Sequence, residues 1–181
     1  MRRTLVLLTT ALLIVLFTAP AGNAANAHFK RGGSPTCTVS TSGATSSTTC
    51  TATMTGLGNA DVHIETTVSG SAVYQCRNNG GNVAPGQNRV LVGPATTPTD
   101  IDSSAIKNGN LTFVTNPAVL SAPDTVSAAA AGCPSSNWTG VNPQLLVTSV
   151  VLLIQQPAGT TLFTCSASNS AGLSGTVALT C

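Results

Sequence analysis

Aromatic and charged side chains are what this sequence has least of. Phe, Tyr and Trp make up 3% of its 181 residues, and Asp, Glu, Lys and Arg together 7%. So little charge excludes the basic surface that nucleic acid or anionic lipid requires. So few rings argue against the stacking platforms that sugar-binding surfaces usually display. No C-x-x-C pair exists and neither His28 nor His63 is paired in sequence with a cysteine, so the cysteines do not read as zinc ligands. There is no G-x-S-x-G elbow for a nucleophilic serine. The five acids form no recognisable acid–base couple. Heptads, fixed-period repeats and a linker that would split the chain are also missing.

What is present begins at the N-terminus. Met1-Arg2-Arg3 is basic, residues 5–19 are almost continuously apolar, and the small residues APAGNAANA follow. That is the plan of a secretory signal peptide over residues 1–27, with cleavage after Ala24 or Ala27. The run is too short for a good membrane anchor, and no cysteine near the cleavage region offers a lipid attachment point. Residues 28–181 are then expected to be one secreted, extracellular domain, free of the membrane and monomeric. Beyond the leader, Lys30, Arg31, Arg77, Arg89 and Lys107 balance Asp61, Glu65, Asp100, Asp102 and Asp124, so the net charge is near zero.

All six cysteines, Cys37, Cys50, Cys76, Cys133, Cys165 and Cys181, lie in that exported part. An even number in an oxidising compartment reads as a disulfide framework. Fifteen connectivities are open to six cysteines. The expected set is Cys37–Cys50 and Cys165–Cys181, each stapling a strand pair, with Cys76–Cys133 tying a loop to a distant segment.

Thr, Ser, Val, Ala, Gly and Asn dominate, which suits strands with a hydroxyl-rich exposed face joined by Gly/Asn turns. TCTVSTSGATSSTTCTATMTGL reads as two strands around a Ser-Gly turn. Val62, Ile64 and Val68 alternate with His63, Glu65 and Thr67, the period of a half-buried strand. SAVYQC (71–76) and residues 89–92 are further strands. Asn108-Gly109 predicts a hairpin whose second arm is LTFVT. Asp124 and Gly132 bracket a short helix as N-cap and C-terminal stop. LLVTSVVLLI (145–154), apolar on both faces, predicts a central, fully covered strand, and residues 173–181 alternate as a last one. About nine short strands with regular turn signals predict an all-β, antiparallel sandwich.

Two resemblances add to this. FTCSASNSAGLSGTVAL (163–179) resembles the last hairpin of an I-set immunoglobulin domain, which implies an immunoglobulin-like sandwich. Trp138 departs from that pattern, since it does not fall where the immunoglobulin core tryptophan belongs. Common descent would also require Cys165 to bridge to an earlier strand. More widely, HFK, TGLGNADVHI, YQCRNNGGNVAPGQN, IKNGNLTF and AGCPSSNW resemble a group of small exported proteins common in actinobacteria. That likeness implies secretion and a β fold, and no activity.

Three stretches merit weighing as sites. CRNNGGNVAPGQNR (76–89) carries Arg77, Asn79, Asn82, Gln87, Asn88 and Arg89; with residues 132–143 and Trp138 it forms the expected recognition end. It lacks the Lys-Ser/Thr of a phosphate loop, and its plainer reading is a long structural turn. Asp61-x-His63-x-Glu65 places three polar groups on one strand face, a possible metal row as well as an ordinary solvated face. Cleavage after Ala27 would make His28 the terminal residue, and its amine and ring with His63 would suit copper. Asp100-Ile101-Asp102-Ser103-Ser104 hints at a calcium loop but lacks the required glycine and distal acid. The sequence therefore predicts a secreted, non-enzymatic β-sandwich without a cofactor, binding an unidentified protein or surface ligand. The alternatives are a copper-dependent oxidative enzyme and a protease inhibitor.

Overall fold

The computed structural model describes residues 26–181; the expected leader lies outside them apart from Asn26 and Ala27. The chain folds into two antiparallel sheets. The first holds β1 (His28–Phe29), β2 (Thr36–Ser42), β3 (Thr45–Thr55), β6 (Leu111–Val114), β7 (Ala118–Ser121) and β11 (Gly175–Ala178). β1, β2, β6 and β7 all pair with β3, and β11 pairs with β2. The second holds β4 (Val62–Asn78), β5 (Val83–Ile101), β8 (Val126–Ser127), β9 (Trp138–Gln155) and β10 (Thr161–Leu173). Its order is β10-β9-β4-β5, with β8 alongside β9. This is the all-β sandwich that the strand pattern predicts.

Alternation along each strand builds the core. Cys37, Val39, Cys50, Ala52 and Met54 point inward from β2 and β3, while every second residue between them is Thr or Ser and points out. Val62, Ile64 and Val68 of β4 join Val150, Leu152 and Ile154 of β9 in the same apolar cluster as Met54, Phe113 and Leu120. Burial of each such aliphatic chain is worth about 1.5–3 kcal/mol. Phe29 and Phe163 meet with ring centroids 4.6 Å apart, linking β1 to β10. Buried Gln156 donates to the carbonyls of Gly58 and Ala60 and accepts from the Gly58 N–H, pinning the approach to β4 against the end of β9.

The disulfides pair as expected: Cys37–Cys50, Cys76–Cys133 and Cys165–Cys181. Cys37 and Cys50 are direct cross-strand partners of β2 and β3. Cys165 pairs with the last residue rather than with an earlier strand, so the bridge that immunoglobulin descent would require is not made. β10 and β11 do not form a hairpin either. β10 pairs with β9 and β11 with β2, so the chain changes sheets between Leu173 and Gly175. Thr180 then exchanges backbone hydrogen bonds with Ser166, closing a seam between the sheets that Cys165–Cys181 locks.

Other local expectations are revised. Residues 61–68 and 71–76 form a single strand, β4, because irregularities at Ser69/Gly70 and between Val73 and Gln75 absorb the break in pattern. Asn108 and Gly109 do make the left-handed turn, but only Lys107 and Asn110 pair across it; LTFV pairs with β3 instead. The helix α1 spans Ala128–Ala131 and its N-cap is Ser127, not Asp124, since Val126–Ser127 is held in β8. Gly132 ends it at φ 69°, as a left-handed C-cap should. β9 is central, yet its outer face is only half-buried at Val151 and Leu153, so it is covered on one side alone.

Candidate functional site

The stretch from Cys76 to Arg89 is not a long loop. β4 runs to Asn78, β5 starts at Val83, and only 79–82 turn between them. Asn78 shapes that turn: its side chain accepts from the Asn82 N–H at 2.9 Å, and its carbonyl accepts from Gly81. Arg77 stands in register with Val83 and Thr139, and Asn78 with Trp138. The structure therefore brings Arg77, Asn79, Asn82 and Trp138 together at the tip of the second sheet. Of these, Arg77 and Asn82 are exposed and Trp138 packs half-buried against the core.

Gln87, Asn88 and Arg89 lie farther down β5 and are spent on bracing. Gln87 donates to the Pro85 carbonyl, and Asn88 Nδ2 donates to Ala129 O at 3.2 Å, fastening α1 to β5. Arg89 Nη1 donates to Ser170 O at 2.8 Å. Arg89 and Ser170 belong to opposite edge strands of the sheet, so residues 169–172 form a strap across its outer face. The strap arises because β10 carries three extra residues between the pairs Ser168↔Ser149 and Leu173↔Val147. Ser71, an outward position of β4, is consequently only 4% exposed, and its hydroxyl has no hydrogen-bond partner. No sequence signal marks this strap, because it depends on register.

Cys76–Cys133 ties the tip to α1. Tyr74 adds a second tie, donating from its hydroxyl to Pro123 O at 2.9 Å, and burial raises its pKa, with Asp124 adding to the shift. Asn142 donates to Gln75 across β9 and β4. Beside the disulfide is a shallow depression of about 390 Å³ lined by Ser127, Ala128, Ala129, Cys133, Ser135 and Ser136. Its walls offer hydroxyls and small apolar groups but no acid or base.

At the other end of β4, His63 lies between two carboxylates. Nδ1 is 2.5 Å from Asp100 Oδ1 and Nε2 is 3.3 Å from Glu65 Oε1. The Asp100 hydrogen bond, seconded by Glu65, raises the His63 pKa and favours the imidazolium, which donates from both nitrogens. Asp100 comes from β5, opposite His63 in register, and the sequence row 61–65 gives no hint of it. Asp61 accepts from the Ser103 N–H, while Asp102 caps a 3₁₀ turn at 103–105. The Ser104 hydrogen bonds hold the Asp102 carboxyl below its usual range. The hint of a calcium loop is thus a capped strand end.

His28 belongs to β1, where Nδ1 contacts Asn26 O at 2.8 Å, while the His63 nitrogens are engaged by carboxylates. Among the described residues no three His, Cys, Asp or Glu side chains are grouped to hold a metal ion. His28 and His63 are not brought together as the copper reading requires. Compared with protein-family models, curated proteins and solved structures, the chain matches none.

Proposed function

We propose that this is an exported, non-enzymatic binding module whose recognition end is the β4–β5 tip. The observation that carries the reading is the Cys76–Cys133 bridge. It fixes the tip to α1 and the 132–137 segment, so Arg77, Asn82 and Trp138 stand on a preorganised support. Ordering these residues before contact lowers the entropic cost of binding. The charged-to-polar composition of the tip suits a protein or cell-surface ligand of low charge.

Export is supported by the N-terminal basic–apolar–small plan, by the three disulfides and by the resemblance to small exported actinobacterial proteins. Among the described residues, no helix is long and apolar enough to cross a membrane.

Trp138 is the sole tryptophan, so intrinsic fluorescence reports directly on the recognition end. Titration with envelope fractions of the producing cells is expected to change its emission saturably. Arg77→Ala should weaken that response without altering the melting temperature. An emission that ignores the envelope, or a response that Arg77→Ala leaves untouched, would overturn the assignment.

A further inference from the structure

The outer face of the first sheet carries no charge at any outward position of β2, β3, β6, β7 or β11. It is instead a net of hydroxyls. Register places Thr176, Thr38 and Thr49 in one row and Thr36 and Thr51 in the next. Thr53 and Thr112 are hydroxyl-bonded to each other at 3.0 Å. Thr51 donates to Phe113 O and keeps its acceptor sites. Val114 and Val119, 64% and 51% exposed, continue the face as bare methyl surface. The second sheet differs, because its outer rows are broken by Glu65, Pro98, His63 and Asp100.

Three physical properties follow from this arrangement. Threonine is stiff at χ1, so each hydroxyl and methyl holds a set position. Cys37–Cys50, directly beneath the rows, fixes the β2–β3 register. Neighbouring strands stand about 4.7–4.9 Å apart, which sets the hydroxyl repeat across the sheet. In a tetrahedral water lattice with O···O bonds of about 2.75 Å, next-nearest oxygens are about 4.5 Å apart. The two repeats are close. A face of this kind offers neither the aromatic and Arg anchors of a protein interface nor the cations of a nucleic-acid or anionic-lipid site.

The geometry points to an ordered water lattice, the surface of ice, as the partner of this face. Each hydroxyl replaces a lattice water as donor and acceptor, and the methyls fill the spaces between. One such bond is weak against liquid water. A rigid two-dimensional set acts together, and only a solid presents the matching repeat. The inference is independent of the recognition end at the β4–β5 tip.

The test is partition of the purified, disulfide-intact protein between slowly grown polycrystalline ice and the remaining liquid. The protein should be enriched in the ice relative to a non-binding control. Thr38→Lys and Thr49→Lys should abolish that enrichment, while Thr67→Lys on the second sheet and Arg77→Ala should retain it. The lysine variants are scored only if their melting temperatures match the parent; otherwise Thr176→Lys, on edge strand β11 in the same row, replaces them. Exclusion from the ice, enrichment that survives the lysine substitutions, or retention on crystalline cellulose or chitin in place of ice would each overturn the proposal.

Discussion

Single side chains show where pattern reading stops. The Asp61–His63–Glu65 row was legible because strand alternation puts polar groups on one face. Its strongest partner, Asp100, was not, because it lies 37 residues away and arrives only through β4–β5 register. His63 has a raised pKa, so its ion pairs stabilise the fold fully below about pH 6.5, the unfolded value. That contribution is lost as pH rises through the higher folded value. Thermal melts should therefore show a parent that loses stability on going from pH 6 to pH 8 more than His63→Asn does. Since Asp100 is 78% exposed, the difference should stay under about 1 kcal/mol. Equal slopes would mean that the pairs contribute nothing. Thr66 tests the opposite situation: it is fully buried in the core and its hydroxyl lacks a partner. Thr66→Val should raise unfolding free energy by about 1 kcal/mol in a denaturant titration. A loss of that size would show a hydrogen bond made there.

At the scale of elements, composition and periodicity identified strands well but misjudged their ends. Gly-Gly and Pro-Gly in 80–86 read as a long loop, yet Gly86 and its neighbours belong to β5. A glycine is needed at 86 because a Cβ there would lie 2.5 Å from Tyr74 O, and a close backbone approach looks the same in sequence as a turn. Gly70 is a second case, where a Cβ would lie 2.3 Å from Leu146 O. Gly70→Ala should cost about 3 kcal/mol by pushing β9 away, read as a lowered denaturation midpoint. An unchanged midpoint would show that the β4–β9 bulge can yield. The strap at 169–172 gives another element-scale expectation. Arg89→Ala removes its anchor at Ser170 O, so hydrogen exchange should speed up at 169–172 and leave β9 protected. Uniform protection in the variant would mean that the strap holds without Arg89.

The whole molecule depends on its three covalent ties as much as on its core. Few aromatics are available to pack, and the apolar cluster is built mainly from Val, Leu, Ile and Ala. In the chain-entropy picture, loops of 13 and 16 residues contribute about 3 kcal/mol each and the 57-residue loop about 4 kcal/mol. Replacing Cys76 and Cys133 with Ser should therefore destabilise the protein most, and it should also free the tip from α1. The class of fold and the need for disulfides were legible from strand period and cysteine number. The exchange between sheets after Leu173 was not, because β10 and β11 look like an ordinary hairpin until their separate partners are known.

The central claim is an exported domain held by this bridge pattern, and one measurement addresses it directly. Intact mass and non-reduced peptide mapping would be performed on protein taken from the culture medium of the producing cells. The expected chain starts at Ala25 or His28 and has no free thiol. Its linked peptides join Cys37 with Cys50, Cys76 with Cys133 and Cys165 with Cys181. A full-length, cell-retained chain with free thiols, or a bridge from Cys165 to an earlier strand, would contradict the account.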